Sequence, residues 1–273
     1  MLRAACAPRG LRTPRGLTSA GTAEGILAAP TLPGVRFHVE AVSLLRDEAR
    51  VRLVELHLDA LEAEFDLLDN DERARAVRFA TPQLQRRFVA AHTALRRLLG
   101  WAADLEPGLL CIAADAQGKP WLPEQPGLHF SLSHCGGQAL LALDAAPVGV
   151  DIEALIQRDT EVLAQQILAP GELDAWRRLP LAHRVEALTE SWTRKEAALK
   201  ACGFGLRVDP ASFDAPCGLL DLGPGQRFHL RDLRAVPGHC AALAQTLPQR
   251  PLRRFRLQAG GVLLAVAGDD DAR

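Results

Sequence analysis

The sequence predicts an α+β protein of two similar α/β lobes related by a pseudo-twofold axis, preceded by a disordered amino-terminal tail. Three observations carry this prediction. Helical periodicity gives way to short strands twice along the 273 residues, once before Ala146-Pro147 and once after it. Phe88, His92, Leu95 and Arg96 are spaced as Trp192, Glu196, Leu199 and Lys200 are, and Pro237-Gly238 before Cys240 to Leu243 echoes Gly136-Gly137 before Ala139 to Leu143. Residues 1–33 are mostly Ala, Gly, Pro, Arg and Thr with a single acid, Glu24, and no sustained hydrophobic period. The boundaries that follow are a tail over 1–33, an N-terminal lobe over 34–147 and a C-terminal lobe over 148–268.

In chain order, Val35 to Leu45 suits either a strand or a loosely attached arm. The alternation from Val51 to Leu58 predicts a strand with at least one buried face. Leu61 to Leu68 reads as a short helix, and Asp69 to Glu72 offers an N-cap and first-turn acids for the next, Arg73 to Phe79. Thr81-Pro82 starts a long helix ending at Gly100, with Leu84, Phe88, Ala91, Leu95 and Leu98 inward. Leu109 to Ala113 reads as a short strand that leads into the turn Ala116 to Pro120, which holds Lys119 at its tip. His129 to Ser133 and Ala139 to Leu143 read as strands around a Gly-Gly turn. In Val148 to Glu153, period two places Val148, Val150 and Ile152 in a core and Gly149, Asp151 and Glu153 on the other face. A helical region from Asp159 ends in an amphipathic helix that carries Trp192 toward a core and stops at Gly203 and Gly205. Strands follow at 219–222, 227–233, 240–246, 254–257 and 262–267.

Composition narrows the function. A formal charge of -1 argues against a nucleic-acid binder, and no apolar run is long enough to cross a bilayer. Six cysteines without a C-x-x-C pair read as reduced thiols of a cytoplasmic protein. The acid-poor start also suits an organelle transit peptide, although no amphipathic helix accompanies it. Of 32 lysines and arginines, only Lys119, Lys195 and Lys200 are lysines. These mark positions where a compact, flexible ammonium is wanted, as around phosphate oxygens.

Glu196 and Lys200, four apart, share a helix face with Lys195 beside them, while Asp151 and Glu153 point the same way from one strand. Taken singly, these are ordinary solvated charges. Together, three carboxylates suit Mg²⁺, which keeps waters and takes substrate phosphates as its other ligands, and the ammonium groups suit the remaining phosphate charge. Such a set fits transfer chemistry on a diphosphate.

Val148 to Glu153, followed by Trp192-Thr193-Arg194-Lys195-Glu196-Ala197-Ala198-Leu199-Lys200, resembles the signature pair of the Sfp-type 4'-phosphopantetheinyl transferase family. Gly118-Lys119-Pro120, Phe130 to His134 and Asp71 to Phe79 match in the same order. The resemblance implies that a serine of an apo acyl- or peptidyl-carrier protein attacks the β-phosphate of coenzyme A, releasing adenosine 3',5'-bisphosphate. By position, Asp151, Glu153 and Glu196 would hold Mg²⁺, and Glu196 would take the serine proton directly or through water. Lys195 and Lys200 would contact the phosphates, with Lys200 counted among the catalytic groups. Lys119, Ser133, His134 and a basic residue among Arg73, Arg75 and Arg87 would hold the nucleotide end. The partners implied are coenzyme A and an apo carrier protein, with no nucleic acid or membrane, and a monomer is expected. Two other readings compete: a coenzyme A or nucleotide binder without transfer activity, which predicts a missing carboxylate or lysine, and another Mg²⁺ phosphotransferase, for which no phosphate-binding loop or kinase signature is present.

Overall fold

An edge strand and a long helix are pressed together at Gly149, and the rest of the architecture explains how. The structure is a computed structural model, and its described residues are 45–266. The expected tail over 1–33, and all but the last residue of the Val35 to Leu45 segment, lie outside them.

Five helices are described: α1 (Asn70–Ala76), α2 (Pro82–Ala103), α3 (Thr160–Ile167), α4 (Pro170–Arg178) and α5 (Leu181–Cys202). Eleven strands accompany them: β1 (Val51–His57), β2 (Ala113–Ala114), β3 (Pro120–Trp121), β4 (His129–Cys135), β5 (Gln138–Asp144), β6 (Val148–Ala154), β7 (Gly218–Asp221), β8 (Arg227–Leu233), β9 (His239–Thr246), β10 (Leu252–Leu257) and β11 (Leu263–Ala265). They form a five-stranded sheet ordered β11-β10-β1-β5-β4, a four-stranded sheet ordered β6-β9-β8-β7, and the small pair β2-β3. The chain is therefore α+β. β10 runs parallel to β1, so the last described strands return to the sheet of the first described one.

The apolar positions of both large sheets meet in one core. Val51, Leu53, Leu140 and Ala142 from the first sheet pack against Val148, Val150, Ile152 and Leu243 from the second. On the opposite face of the second sheet, Ala197, Ala198 and Ala201 of α5 pack on Phe228, Leu230, Ala242 and Ala244. Small residues on both sides let helix and strand approach closely. A Cβ built on Gly149 would lie 1.9 Å from Ala197 O and 2.6 Å from Ala201 N, so only glycine fits there.

The edge strands β4 and β6 are stitched by side chains. Ser131 Oγ accepts from Val150 N at 3.1 Å, Ser133 Oγ donates to Asp151 Oδ1 at 2.7 Å, and Ala154 N donates to Cys135 Sγ at 3.3 Å. Ser131 and Cys135 thus satisfy donors on an edge of β6 that, among the described residues, has no ladder partner.

Several local expectations are corrected. The helix expected over 61–68 is a single 3₁₀ turn, Phe65–Leu67. α1 starts at Asn70, capped reciprocally by Asp69 and Glu72, and ends before Phe79. α2 runs past Gly100 to Ala103, where Asp104 adopts a left-handed conformation. Leu84, expected inward, is 44% exposed because it lies in the first turn of α2, whereas Phe88, Ala91, Leu95 and Leu98 are buried. The strand expected over 109–113 is displaced by a 3₁₀ turn at Pro107–Leu109, and only Ala113–Ala114 pairs.

Candidate active site

A cleft of about 410 Å³ opens where β4, the 115–120 turn, α1, α2 and the end of α5 come together. Its polar lining comes from Lys119 and Gln117 on the turn, His134 on β4, Lys200 on α5, and Arg75, Glu72 and His92 on the first two helices. Phe130, Leu95 and Leu199 supply apolar wall, and Gly203 and Gly205 form the rim beyond α5. Gly203 caps α5 with φ of 77°, a left-handed turn that a side chain would oppose.

Next to this cleft, the second sheet presents its carboxylates to α5 instead of to solvent. Asp151 is 1% exposed. Its Oδ1 accepts from Lys200 Nζ at 2.6 Å and from Ser133 Oγ at 2.7 Å, and Lys200 also donates to Ser133 Oγ at 2.8 Å. The three groups close a triangle, so Ser133 orients Asp151 and Lys200 and is not itself part of the cleft lining. Burial pushes the Glu196 carboxyl above its ordinary range, and the negative charge of Asp151 adds to that. Glu153 is raised likewise, by burial first and then by Asp151.

Two buried oxygens in this cluster, Asp151 Oδ2 and Glu196 Oε1, have no hydrogen-bond partner. Unpaired carboxylate oxygens out of water are unfavourable, and mutual repulsion makes them more so, unless a cation serves both. Among the described residues, no three His, Cys, Asp or Glu side chains already form a metal-binding group. That accords with Lys200 holding one oxygen of Asp151. Magnesium binds through one or two carboxylates with water and substrate oxygens completing its shell, so the two orphaned oxygens fit it without a full protein cage.

The remaining expected residues divide. Burial lowers the pKa of His134 below the usual imidazole value, helped by His92 and Lys200, so its ring is neutral near pH 7. Lys119 lines the cleft, but its ammonium donates to Ala201 O at 2.7 Å and Val148 O at 3.4 Å, and burial brings its pKa down to about 8. Arg75 reaches the cleft with its guanidinium over the Phe88 ring at 5.3 Å. Arg73 and Arg87 are not in its lining: Arg73 donates to the carbonyls of Phe65 and Asp66, and Arg87 grips Asp59 with Nε at 2.8 Å and Nη2 at 2.5 Å. Lys195 is the largest correction. Its side chain is fully buried and paired with Glu172 on α4 at 2.5 Å, because positions 195 and 196 point about 100° apart on a helix.

Glu72 and His92 were not among the expected site residues. His92 Nδ1 donates to Glu72 Oε1 at 2.7 Å, and Glu72 Oε2 accepts from Arg96 Nε at 2.6 Å and from Asp69 N at 3.0 Å. The helix cap is thereby tied to the cleft wall. The spacing echo already marked His92, since it holds the place in α2 that Glu196 holds in α5.

In sequence the chain is similar to known proteins. Residues 147–247 match the family model of the 4'-phosphopantetheinyl transferase superfamily. The 4'-phosphopantetheinyl transferase HetI of Nostoc sp. is 38% identical over 174 residues, 60% of this chain and 73% of that protein. A putative 4'-phosphopantetheinyl transferase of Synechocystis sp. is 34% identical over 144 residues, 51% of this chain and 58% of that protein. The 4'-phosphopantetheinyl transferase Sfp of Bacillus subtilis is 27% identical over 158 residues, 54% of this chain and 70% of that protein.

Proposed function

The chain belongs to the 4'-phosphopantetheinyl transferase family, and from that premise we propose that it moves the phosphopantetheine arm of coenzyme A onto a serine of an apo carrier protein. The observation that carries the reading is the pair of orphaned oxygens on Asp151 and Glu196, beside a cleft lined by Lys200, Arg75 and His134.

The diphosphate of coenzyme A lies at the Lys200 end of the cleft, and the nucleotide extends toward the 115–120 turn, Arg75 and His134. Asp151, Glu153 and Glu196 would hold Mg²⁺, which supplies positive charge to the diphosphate. Glu196 accepts the proton of the carrier serine, directly or through water. The serine oxygen forms a bond to the β-phosphorus as the bond from that phosphorus to the bridging oxygen breaks. Adenosine 3',5'-bisphosphate leaves with the electron pair, and Lys200 stabilises the charge that builds on it. Ser133 and Asp151 hold the Lys200 ammonium where this requires.

The same reading groups the chain into lobes at 34–147 and 148–268 related by a pseudo-twofold, with the cleft at their junction and β10 and β11 lent to the first sheet. Support comes from the matching spacing of Phe88, His92, Leu95 and Arg96 with Trp192, Glu196, Leu199 and Lys200. A monomer in the cytoplasm goes with it; Cys135, Cys202, Cys217 and Cys240 are free thiols, as a reducing compartment keeps them. No described helix is long and apolar enough to cross a membrane.

Incubation with coenzyme A, Mg²⁺ and apo carrier proteins of fatty-acid, polyketide and peptide-synthetase type, read by mass spectrometry, tests the proposal. One phosphopantetheinyl group should be added to at least one of them. Carriers that all stay at their apo mass would refute it.

A further inference from the structure

Lys195 sits in the signature next to Glu196, yet it faces away from the cleft. An ammonium has three donors, and all three are used: Glu172 Oε2 at 2.5 Å, Pro210 O at 2.7 Å and Phe213 O at 2.6 Å. The Phe213 ring lies 5.1 Å away and adds a favourable face to the same charge. Glu172 is as fully engaged. Its Oε2 also accepts from Ala169 N at 3.0 Å, at the start of α4, and its Oε1 accepts from Ala215 N at 2.8 Å.

Pro210, Phe213 and Ala215 belong to the segment 203–216 that leaves the end of α5, and the first part of that segment, Gly203 and Gly205, rims the cleft. Phe213 and Ala215 pack on Ala197, Ala198 and Ala201 of α5. One buried ion pair therefore joins α4, α5 and the rim segment at the helical turn that also carries Glu196. Two apolar side chains would fill the same space without burying charge, but they would leave Pro210 O, Phe213 O and Ala215 N without partners.

We propose that Lys195 and Glu172 form a positioning pair: they fix the rim segment and the rotation of α5, and so place Glu196 and Lys200, while touching neither coenzyme nor carrier. The proposal rests on the transfer reading above.

The test compares the full chain with E172Q, K195M and the double variant E172M/K195M. Three quantities are measured: transfer kinetics with coenzyme A varied, thermal unfolding, and amide hydrogen exchange over 203–216. E172Q and K195M should each lower kcat by about 10- to 100-fold, as misplacement by about 1 Å does, with KM for coenzyme A within about twofold of wild type. Exchange over 203–216 should quicken in both. The double variant, with no charge left unpaired, should melt above both single variants but recover neither kcat nor exchange protection. E172Q is the milder change and keeps the test open if K195M does not fold.

A raised KM for coenzyme A in K195M, with E172Q like wild type, would make Lys195 a phosphate ligand and overturn the proposal. A fall in Tm alone, with kcat and exchange unchanged, would overturn it by leaving a purely structural pair; so would recovery of kcat together with Tm in the double variant. A wild-type chain that transfers nothing would defeat the functional reading separately. The pair would then stand or fall on exchange over 203–216.

Discussion

Replacing Gly149 by alanine tests the contact on which the site is built. The added Cβ would lie 1.9 Å from Ala197 O, 2.6 Å from Ala201 N and 3.0 Å from Ala197 C, all of them backbone atoms that cannot rotate away. Contact distances near 3.4 Å require β6 and α5 to separate by about 1 Å or more, and overpacking of this kind costs about 1–3 kcal/mol. For a chain of this size, that corresponds to a fall in Tm of roughly 2–12 °C. Because β6 carries Asp151 and α5 carries Glu196 and Lys200, the same separation pulls the reacting groups apart. Transfer should therefore fall by about 100-fold even at temperatures where the variant is folded. The assay is carrier modification followed by mass spectrometry, beside a thermal melt. Gly171→Ala is the control, since a Cβ there meets nothing within 4 Å, and it should leave both readings near wild type. A Gly149→Ala chain with wild-type Tm and turnover would refute the close approach and the convergence built on it.

Two further outcomes follow from the cleft. Arg75→Ala should raise KM for coenzyme A by about tenfold, the worth of a hydrogen bond to a charged group, whereas Arg73→Ala should leave it unchanged; steady-state kinetics on the two variants checks the assignment. Lys119 has a folded-state pKa near 8 against an ordinary value of 10.5, so between those values the unfolded chain holds a proton that the folded chain has released. Stability rises with pH wherever the unfolded state binds more protons. Wild type should therefore gain on Lys119→Met by up to about 3 kcal/mol as pH rises from about 8 to 10.5, read from denaturant melts of both proteins. A difference that stays flat with pH would mean that the ammonium is not desolvated.

Much of this site was legible because strand and helix periods are local. Period two in Val148 to Glu153 puts Asp151 and Glu153 on one face, and the spacing of four puts Glu196 with Lys200. Periodicity does not say what covers a polar face. That α5 lies against it, so that Asp151 is nearly sealed from water, follows from the Gly149 contact with Ala197, which is tertiary. Lys195 faces away from the cleft for a related reason. Its neighbours in sequence share the chemistry, but its partner Glu172 lies on a different helix, and no local pattern links the two. Arg73, Arg75 and Arg87 look alike in sequence, and only the placement of the last turn of α1 and the second turn of α2 decides that Arg75 alone of the three lines the cleft. The parallel pairing of β10 with β1 joins strands from opposite ends of the described chain, beyond the reach of turn and period signals. Glu72 reads from sequence as a helix cap, which it is, and its second role toward His92 emerges only when α1 meets α2.

The claim beneath all of this is that Asp151 and Glu196 share one divalent ion beside coenzyme A. A crystal grown with coenzyme A and Mn²⁺, phased to show anomalous scattering, measures it most directly. An anomalous peak within ligand distance of both carboxylates and of the diphosphate is the predicted result. Coenzyme A bound in the cleft with no peak there, or with the ion held elsewhere, would contradict it.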